Sequence, residues 1–157
     1  AAERTLKTQE NGLIVLHWPD ADKAGHANGW MSPQYARAAR NADNALGDLA
    51  ARIDADDASS LLIVVADHGG GGVRANEHDS MHPLDYTIPI VFAGGGVVQR
   101  HLGANVDLLD VPATILWSLG IAQPESYAGR PIRNAFRATE DAAPLEVANK
   151  ERVAVAV

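Results

Sequence analysis

The sequence predicts an α/β fold with a mostly parallel sheet flanked by helices. Three short apolar runs predict strands, at residues 12–18, 61–66 and 87–93. Apolar residues at three- and four-residue spacing predict helices between and after them, at residues 33–53 and 109–119. Because a strand, a helix and a second strand in this order form a right-handed parallel crossover, parallel neighbours are expected in the sheet.

The first strand is apolar on both faces, as expected of a central strand in a parallel sheet. Residues 19–31 are rich in Asp, Gly and Asn and predict a loop. The helix that follows has two start signals, Ser32 as the N-cap and Pro33 at the first helical position. We expect this helix to end near Ile53.

A glycine run, residues 69–72, follows the second strand. No Lys-Ser or Lys-Thr pair closes it, so it is not a phosphate-binding loop, and we predict a flexible connector. Pro89 cannot donate to a strand ladder, which places the third strand at a sheet edge or Pro89 at the start of pairing. The last helix begins near Asp107 or Asp110 and ends before Gly120.

The chain of 157 residues is long enough for one domain, which we assign to residues 1–135. Residues 136–157 are predicted to be a polar linker and tail. The stretch that begins at Glu151 has two interpretations, a terminal edge strand or a frayed tail.

Composition narrows the class of partner. The net charge of −7 argues against binding to a nucleic acid polymer, and an anionic substrate would need a bound cation. There is no cysteine, so disulfides and thiolate metal sites are excluded. No apolar run approaches the roughly 20 residues that span a bilayer, so no transmembrane segment is expected.

Polar side chains follow the predicted strands and predict a split metal site. Asp22 and His26 follow the first strand, Asp67 and His68 end the second, and His78 lies in the loop before the third. Ligands collect beyond the carboxyl ends of strands in open α/β sheets, so these groups can converge. Carboxylates with imidazoles suit zinc, manganese or iron.

Each of these residues has a competing interpretation. Asp22 and His26 could share one helical face or a tight loop, and both could be ordinary surface residues. Asp20 competes with Asp22, although Gly25 beside His26 favours Asp22 because it lets the backbone approach an ion. Asp67 could simply begin a turn. Spacing alone does not decide between His78 and His82.

Residues 19–26, 65–72 and 77–89 together resemble three motifs of the alkaline phosphatase superfamily, and its type I phosphodiesterase/nucleotide pyrophosphatase branch looks closest. The similarity covers roughly residues 10–135, with the motifs in the family's order. The resemblance implies an alkaline phosphatase-like fold and metal-dependent hydrolysis of phosphate esters, with a phosphodiester or nucleotide substrate. It also implies two divalent ions, Zn²⁺ or alternatively Mn²⁺.

By resemblance, Asp22, His26 and His78 would hold one ion, and Asp67 and His68 would help to hold the other. The interval from His78 to Thr87 fits the family and ranks His78 above His82. Family members carry a further aspartate ligand and a threonine or serine nucleophile upstream, and only 21 residues precede Asp22. We therefore expect the C-terminal half of a catalytic domain, incomplete at its N-terminal side and inactive without a missing N-terminal segment or second chain.

Other functions fit the same residues. Within the superfamily they are those of a phosphomonoesterase, a phosphonoacetate hydrolase, a phosphoglycerate mutase and a sulfatase. A different class is a non-catalytic fragment or metal-binding chain that contacts its partner through an exposed sheet edge. The resemblance slightly favours an extracytoplasmic or periplasmic location, which the residues themselves do not determine.

Overall fold

A computed structural model describes residues 12–51, 60–94, 96–103, 105–137 and 152–156. Strands and helices alternate along the chain, which confirms the α/β class. The elements are β1 (Gly12–Leu16), α1 (Asp20–Asn28), α2 (Pro33–Ala50), β2 (Ser60–Val65), α3 (Pro83–Tyr86), β3 (Ile90–Gly94), α4 (Asp110–Ser118), a 3-10 turn (Arg133–Ala135) and β4 (Arg152–Ala156).

The strands form a four-stranded sheet in the order β1-β4-β2-β3. Strand β1 is therefore an edge strand, and the prediction of a central strand was wrong. Its burial alternates, with Leu13 and Val15 exposed by 45% and 58%, whereas most of β2 is buried. An apolar run shows which side chains could be covered, and the neighbouring elements decide which ones are covered.

The ends of β2 and β3 show the direction of this strand pair. The Ala66 amide, just after β2, donates to the Pro89 carbonyl, just before β3, at 3.4 Å. Neighbouring strands joined end to start run in opposite directions, so this pair is antiparallel. The mostly parallel sheet is thus not shown. The expectations for Pro89 are confirmed, because it stands at the start of pairing and β3 lies at an edge.

Strand β4 lies between β1 and β2. The interpretation of the stretch beginning at Glu151 as a terminal strand is therefore confirmed for residues 152–156, but the strand is internal and not at the sheet edge, and the interpretation as a frayed tail was wrong there. Residues 138–151 of the predicted linker lie outside the described residues. The division at residue 135 remains a prediction.

Helix α1 occupies part of the segment that was predicted to be a loop. Asp20 and Asp22 lie in its first turn, where the helix dipole favours negative charge. It ends at Gly29, whose φ of +88° suits glycine. The composition of residues 19–31 was read as loop-like, and these acidic start signals and the glycine stop explain why a short helix forms instead.

Helix α2 confirms its predicted start. The Tyr35 amide donates to the Ser32 hydroxyl at 3.2 Å, and Pro33 occupies the first helical position. The helix ends at Ala50, three residues before the predicted Ile53, which lies outside the described residues.

The chain divides into two compact units. The first includes the described residues from Phe92 to Arg137, and its core is formed by α4 and the segment around the 3-10 turn. Phe136 contacts Phe92 and Trp117 at ring-centroid distances of 5.9 and 5.2 Å. Helix α4 confirms its prediction closely, because it begins at Asp110 and Gly120 with a φ of +67° follows it.

The second unit includes the described residues from Val15 to Ala51 and from Val64 to Val91. It contains α1, α2, the glycine run and α3, and therefore every metal ligand predicted from the sequence. Within the described ranges, none of the helices combines the length and apolar character needed to cross a membrane.

Candidate metal site

Helix α1 places Asp22 and His26 on one face, since residues four apart are neighbours on a helix. The Oδ1 atom of Asp22 lies 3.4 Å from the Nε2 atom of His26. Of the two arrangements that the sequence allowed, the structure therefore has the helical one.

The end of β2 brings a second pair of side chains to Asp22. The Nε2 atom of His68 lies 3.7 Å from Asp22 Oδ1 and 3.7 Å from Asp67 Oδ1. The Asp67 carboxylate also accepts the backbone amide of His68 at 3.1 Å. Asp67 is thus an acceptor at the turn after β2 and a neighbour of the His68 ring.

His78 completes the group from the loop before α3. Its ring stacks on His68 with centroids 3.8 Å apart and an interplanar angle of 15°, and its centroid lies 5.1 Å from that of His26. Ligand atoms of Asp22, His68 and His78 all lie within 4.8 Å of one another. This trio takes members from both predicted ligand sets, and the assignment of the five residues to two ions remains a prediction.

Backbone carbonyls determine which nitrogen of two histidines carries the hydrogen. His26 Nδ1 lies 2.9 Å from the Asn76 carbonyl oxygen, and His68 Nδ1 lies 2.8 Å from the Gly69 carbonyl oxygen. A carbonyl can only accept, so each Nδ1 donates, and Nε2 of each neutral ring keeps its lone pair. Both Nε2 atoms face Asp22.

The Oδ1 atom of Asp22 is buried, and no hydrogen bond satisfies it among the described residues. Such an atom needs an explanation, because buried polar atoms are almost always hydrogen-bonded. Its distances of 3.4 and 3.7 Å to the imidazole nitrogens exceed ordinary hydrogen-bond lengths. Lone pairs that face one another repel unless a cation lies among them, so this oxygen and nitrogen set fits a divalent metal ion.

The competing residues have other contacts. His82 is exposed and precedes α3, where its Nδ1 atom accepts the Leu84 amide at 3.2 Å as an N-cap. Asp20 is exposed in the first turn of α1. Among the described residues, the carboxylates in ion-pair contact with His26 and His68 are those of Asp22 and Asp67.

Each amide of the glycine run donates a hydrogen bond, and the flexibility of this connector stays a prediction. The Gly69 amide donates to the Asp85 carbonyl and the Gly70 amide to the Leu84 carbonyl, both at 2.8 Å. The Gly71 amide donates to the Glu77 carbonyl at 2.9 Å, and the Gly72 amide donates to Asp85 Oδ1 at 2.8 Å. A Cβ atom on Gly69 would lie 1.9 Å from the Leu84 carbonyl oxygen. These glycines allow close approach of backbone to backbone, which the sequence pattern alone does not show.

Sequence reasoning missed Asp85, a buried carboxylate in α3 that is 4% exposed. It accepts the Ser80 hydroxyl, the Ser80 amide at 3.1 Å and the Gly72 amide at 2.8 Å. The Ser80 hydroxyl is the main cause that lowers the pKa of Asp85 below 3.8, and it outweighs the opposing effect of burial. The signal in the sequence that could have indicated a buried carboxylate was an aspartate between two large side chains, Leu84 and Tyr86.

Sequence reasoning also missed Trp30, whose indole lies against the histidines. Its ring centroid is 5.1 Å from that of His26, 5.7 Å from that of His78 and 6.4 Å from that of His68. A large aromatic residue directly after Gly29 and close to Gly25 was a weak signal.

Comparisons with known proteins place these residues in a family. The family model described as type I phosphodiesterase / nucleotide pyrophosphatase matches residues 1–112. The similar curated proteins include 2,3-bisphosphoglycerate-independent phosphoglycerate mutases. That of Synechococcus sp. (strain JA-2-3B'a(2-13)) is 28% identical over an alignment of 142 residues that covers 83% of this chain and 26% of the relative.

The mutase of Hydrogenovibrio crunogenus is 31% identical over 125 residues, with 79% of this chain and 23% of the relative covered. That of Haloarcula marismortui is 28% identical over 134 residues, with coverages of 81% and 24%. The chain thus spans about a quarter of the length of the curated relatives it matches. No solved structure matches the chain. Because the family model covers more than half of the sequence, the chain belongs to the type I phosphodiesterase/nucleotide pyrophosphatase family of the alkaline phosphatase superfamily.

Proposed function

We propose that this chain supplies metal ligands to a phosphate-ester hydrolase that acts on phosphodiesters or nucleotide pyrophosphate bonds. One observation carries the proposal. The buried Oδ1 atom of Asp22 has no hydrogen bond from the described residues and faces two imidazole nitrogens. Each of these nitrogens keeps its lone pair, because a carbonyl accepts a hydrogen bond from the other nitrogen of the same ring. That arrangement is expected of a cation site whose ligands are already oriented.

The proposed cofactors are two divalent ions, Zn²⁺ first and Mn²⁺ as the alternative. Asp22, His26 and His78 would hold one, and Asp67 and His68 would help to hold the other. Asp22 Oδ1 also lies 3.7 Å from His68 Nε2 of the second set. When bound, such ions supply positive charge to the phosphoryl group and to the attacking and leaving oxygens. The chain contributes ring orientation through the carbonyls of Asn76 and Gly69. Because the chain has a net charge of −7, a bound cation would favour an anionic substrate at this site.

The proposed nucleophile is a hydroxyl in a segment upstream of Asp22, supplied as the N-terminal part of a longer protein or as a second chain. We expect the 157-residue chain alone to be inactive. The test is hydrolysis of bis(4-nitrophenyl) phosphate by the chain alone and by the protein that includes the upstream segment. Equal turnover by the two would contradict this division of the site.

A second candidate is phosphoryl transfer of the mutase type. It is favoured by relatives named phosphoglycerate mutases, although the chain covers about a quarter of them. Interconversion of 3-phosphoglycerate and 2-phosphoglycerate without hydrolysis of the diester would support the mutase. Hydrolysis of the diester or of a nucleotide pyrophosphate bond would support the phosphodiesterase. Metal binding with neither activity, in the protein that includes the upstream segment, would support a non-catalytic metal-binding chain.

Asp22→Asn tests the metal site itself. The variant keeps the shape of the side chain but removes the charge, so we expect Zn²⁺ affinity to fall by more than the roughly 10- to 100-fold that loss of an outer-shell partner causes. Asp20→Asn is the matched control, since it removes the same charge two residues earlier in α1 and should leave the affinity unchanged. Isothermal titration with Zn²⁺ measures both. Equal affinities for Asp22→Asn and the unmodified chain would remove the basis of the proposed function.

A further inference from the structure

Trp30 lies beside the histidine cluster, which we define as His26, His68 and His78. The indole meets His26 nearly at right angles, with an interplanar angle of 85°, and His78 at 68°. These edge-to-face arrangements are favourable for aromatic rings. One half-buried side chain thus contacts rings that come from α1 and from the loop before α3.

Three glycines make room for this indole. A Cβ atom on Gly25 would lie 2.8 Å from the ring, one on Gly70 2.1 Å from it, and one on Gly71 2.7 Å from the Trp30 Cβ atom. Separations below 3.0 Å require something to move. The glycines come from α1 and from the run after β2, so two distant segments leave space for the same side chain. We call this space the indole slot.

The backbone around Trp30 is constrained on both sides. Gly29 has a φ of +88° and Met31 a φ of +63°, and for a residue other than glycine such a value is uncommon and costly. Met31 is 83% exposed, so burial of its own side chain does not offset that cost. The Trp30 amide donates to the Ala75 carbonyl at 2.6 Å, next to the Asn76 carbonyl that holds His26. Adjacent carbonyls of one short loop therefore hold both the Trp30 backbone and the His26 imidazole.

We propose that Trp30 is a positioning residue that fixes the histidine cluster in its metal-binding orientation from the indole slot. This inference rests on the proposed function, since it concerns ligands of the proposed metal. The glycines are explained by the same proposal, because alanine at Gly70 would displace the ring that orients His26 and His78.

The experiment measures binding of Zn²⁺ by titration and the visible absorption of bound Co²⁺, which reports ligand geometry. Trp30→Ala should weaken Zn²⁺ binding about 10- to 100-fold, as loss of an orienting partner does, and should alter the Co²⁺ spectrum. Trp30→Phe keeps a ring in the slot and should recover most of the affinity. Gly70→Ala should weaken binding in the unmodified chain, and should add no further loss to Trp30→Ala because the ring is then gone.

Gly47→Ala in α2 is the matched control for the glycine substitution, since its added Cβ atom meets nothing within 4 Å. It should leave Zn²⁺ binding and the Co²⁺ spectrum unchanged. If Trp30→Ala does not fold, Gly70→Ala still decides the matter, because it displaces the ring of Trp30 without removing the residue.

The outcomes separate this inference from the proposed function. If the unmodified chain binds Zn²⁺ and both Trp30→Ala and Gly70→Ala bind it equally well with the same Co²⁺ spectrum, Trp30 is a packing residue and the inference is overturned. If Gly70→Ala lowers the Zn²⁺ affinity of Trp30→Ala as much as that of the unmodified chain, its effect does not come from the indole slot, and that explanation is wrong. If the unmodified chain binds no Zn²⁺, the proposed function itself fails, and the inference fails with it.

Discussion

At the scale of single residues, hydrogen bonds to carbonyls distinguish two candidate ligands, His26 and His68, from His82. The Nδ1 atoms of His26 and His68 lie against backbone carbonyls, so their Nε2 atoms are left for a ligand. His82 has the opposite arrangement, since its Nδ1 atom accepts the Leu84 amide. All three residues are histidines, and they differ in the backbone group that the Nδ1 atom contacts, a carbonyl in two of them and an amide in His82.

His78 and His82, which the sequence could not rank by spacing, give a paired prediction. We expect His78→Ala to weaken Zn²⁺ binding more than 10-fold, because it removes a member of the trio with Asp22 and His68. We expect His82→Ala to leave binding unchanged and to cost roughly 0.5–2 kcal/mol of stability through loss of the α3 cap. Zn²⁺ titration and urea unfolding of both variants measure these effects, and weaker binding by His82→Ala alone would reverse the assignment.

At the scale of elements, the loop from the glycine run to α3 is held by a buried carboxylate. Asp85 accepts hydrogen bonds from Gly72 and Ser80, which stabilise its charged form. The same loop carries His78 and provides the carbonyls of Gly69 and Asn76. Its order therefore matters to the candidate metal site as well as to the fold.

The lowered pKa of Asp85 predicts a dependence of stability on pH. A carboxylate whose pKa in the folded protein lies below 3.8 stabilises the fold above that pH, and the contribution is lost as the pH falls through 3.8 to the folded value. Asp85→Asn should therefore lower the free energy of unfolding near neutral pH, and its difference from the unmodified chain should shrink below pH 3.8. Urea unfolding of the metal-free chain at several pH values tests this.

Asp79→Asn is a matched control for the pH series, because Asp79 is an exposed aspartate in the same loop. Its stability curve should run parallel to that of the unmodified chain. A pH profile for Asp85→Asn that also runs parallel to the unmodified one would show that the hydrogen bonds of Asp85 do not favour its charged form.

At the scale of the whole molecule, the two compact units have different tasks. The second contains the candidate metal site. In the first, side chains of α4 accept hydrogen bonds from the backbone of residues 130–132. The Asp110 carboxylate accepts the Arg130 amide at 2.7 Å, and the buried Thr114 hydroxyl accepts the Ile132 amide at 2.9 Å.

Thr114→Val tests the closure of the first unit. Valine has nearly the same shape but leaves the Ile132 amide without its acceptor, so we expect a loss of about 1–3 kcal/mol in the free energy of unfolding. Zn²⁺ affinity of the folded chain should not change, because none of these partners belongs to the candidate metal site. Thr114→Ser keeps the hydroxyl and should lose about 0.8 kcal/mol, the value of one buried methylene. A valine variant as stable as the unmodified chain would show that the hydrogen bond contributes little.

Most of the element types could be predicted, because their signals are local. Ser32 and Pro33 marked the start of α2, Asp110 and Gly120 bounded α4, and the apolar runs located β1, β2 and β3. The prediction failed at α1, where a polar composition concealed a helix. It also failed for the directions and order of the strands, which depend on neighbours far along the chain.

The sequence by itself determined the family, the chemical nature of the candidate ligands and the local starts and stops of helices, because motifs, residue types and caps act over a few residues. The tertiary structure alone decided that β1 lies at an edge, that the ligand atoms of His68 and His78 meet that of Asp22, and that Trp30 and Asp85 support the loops around them. Which strand is covered and which ligands converge depend on residues tens of positions apart in the chain. No local sequence pattern encodes which of these residues meet.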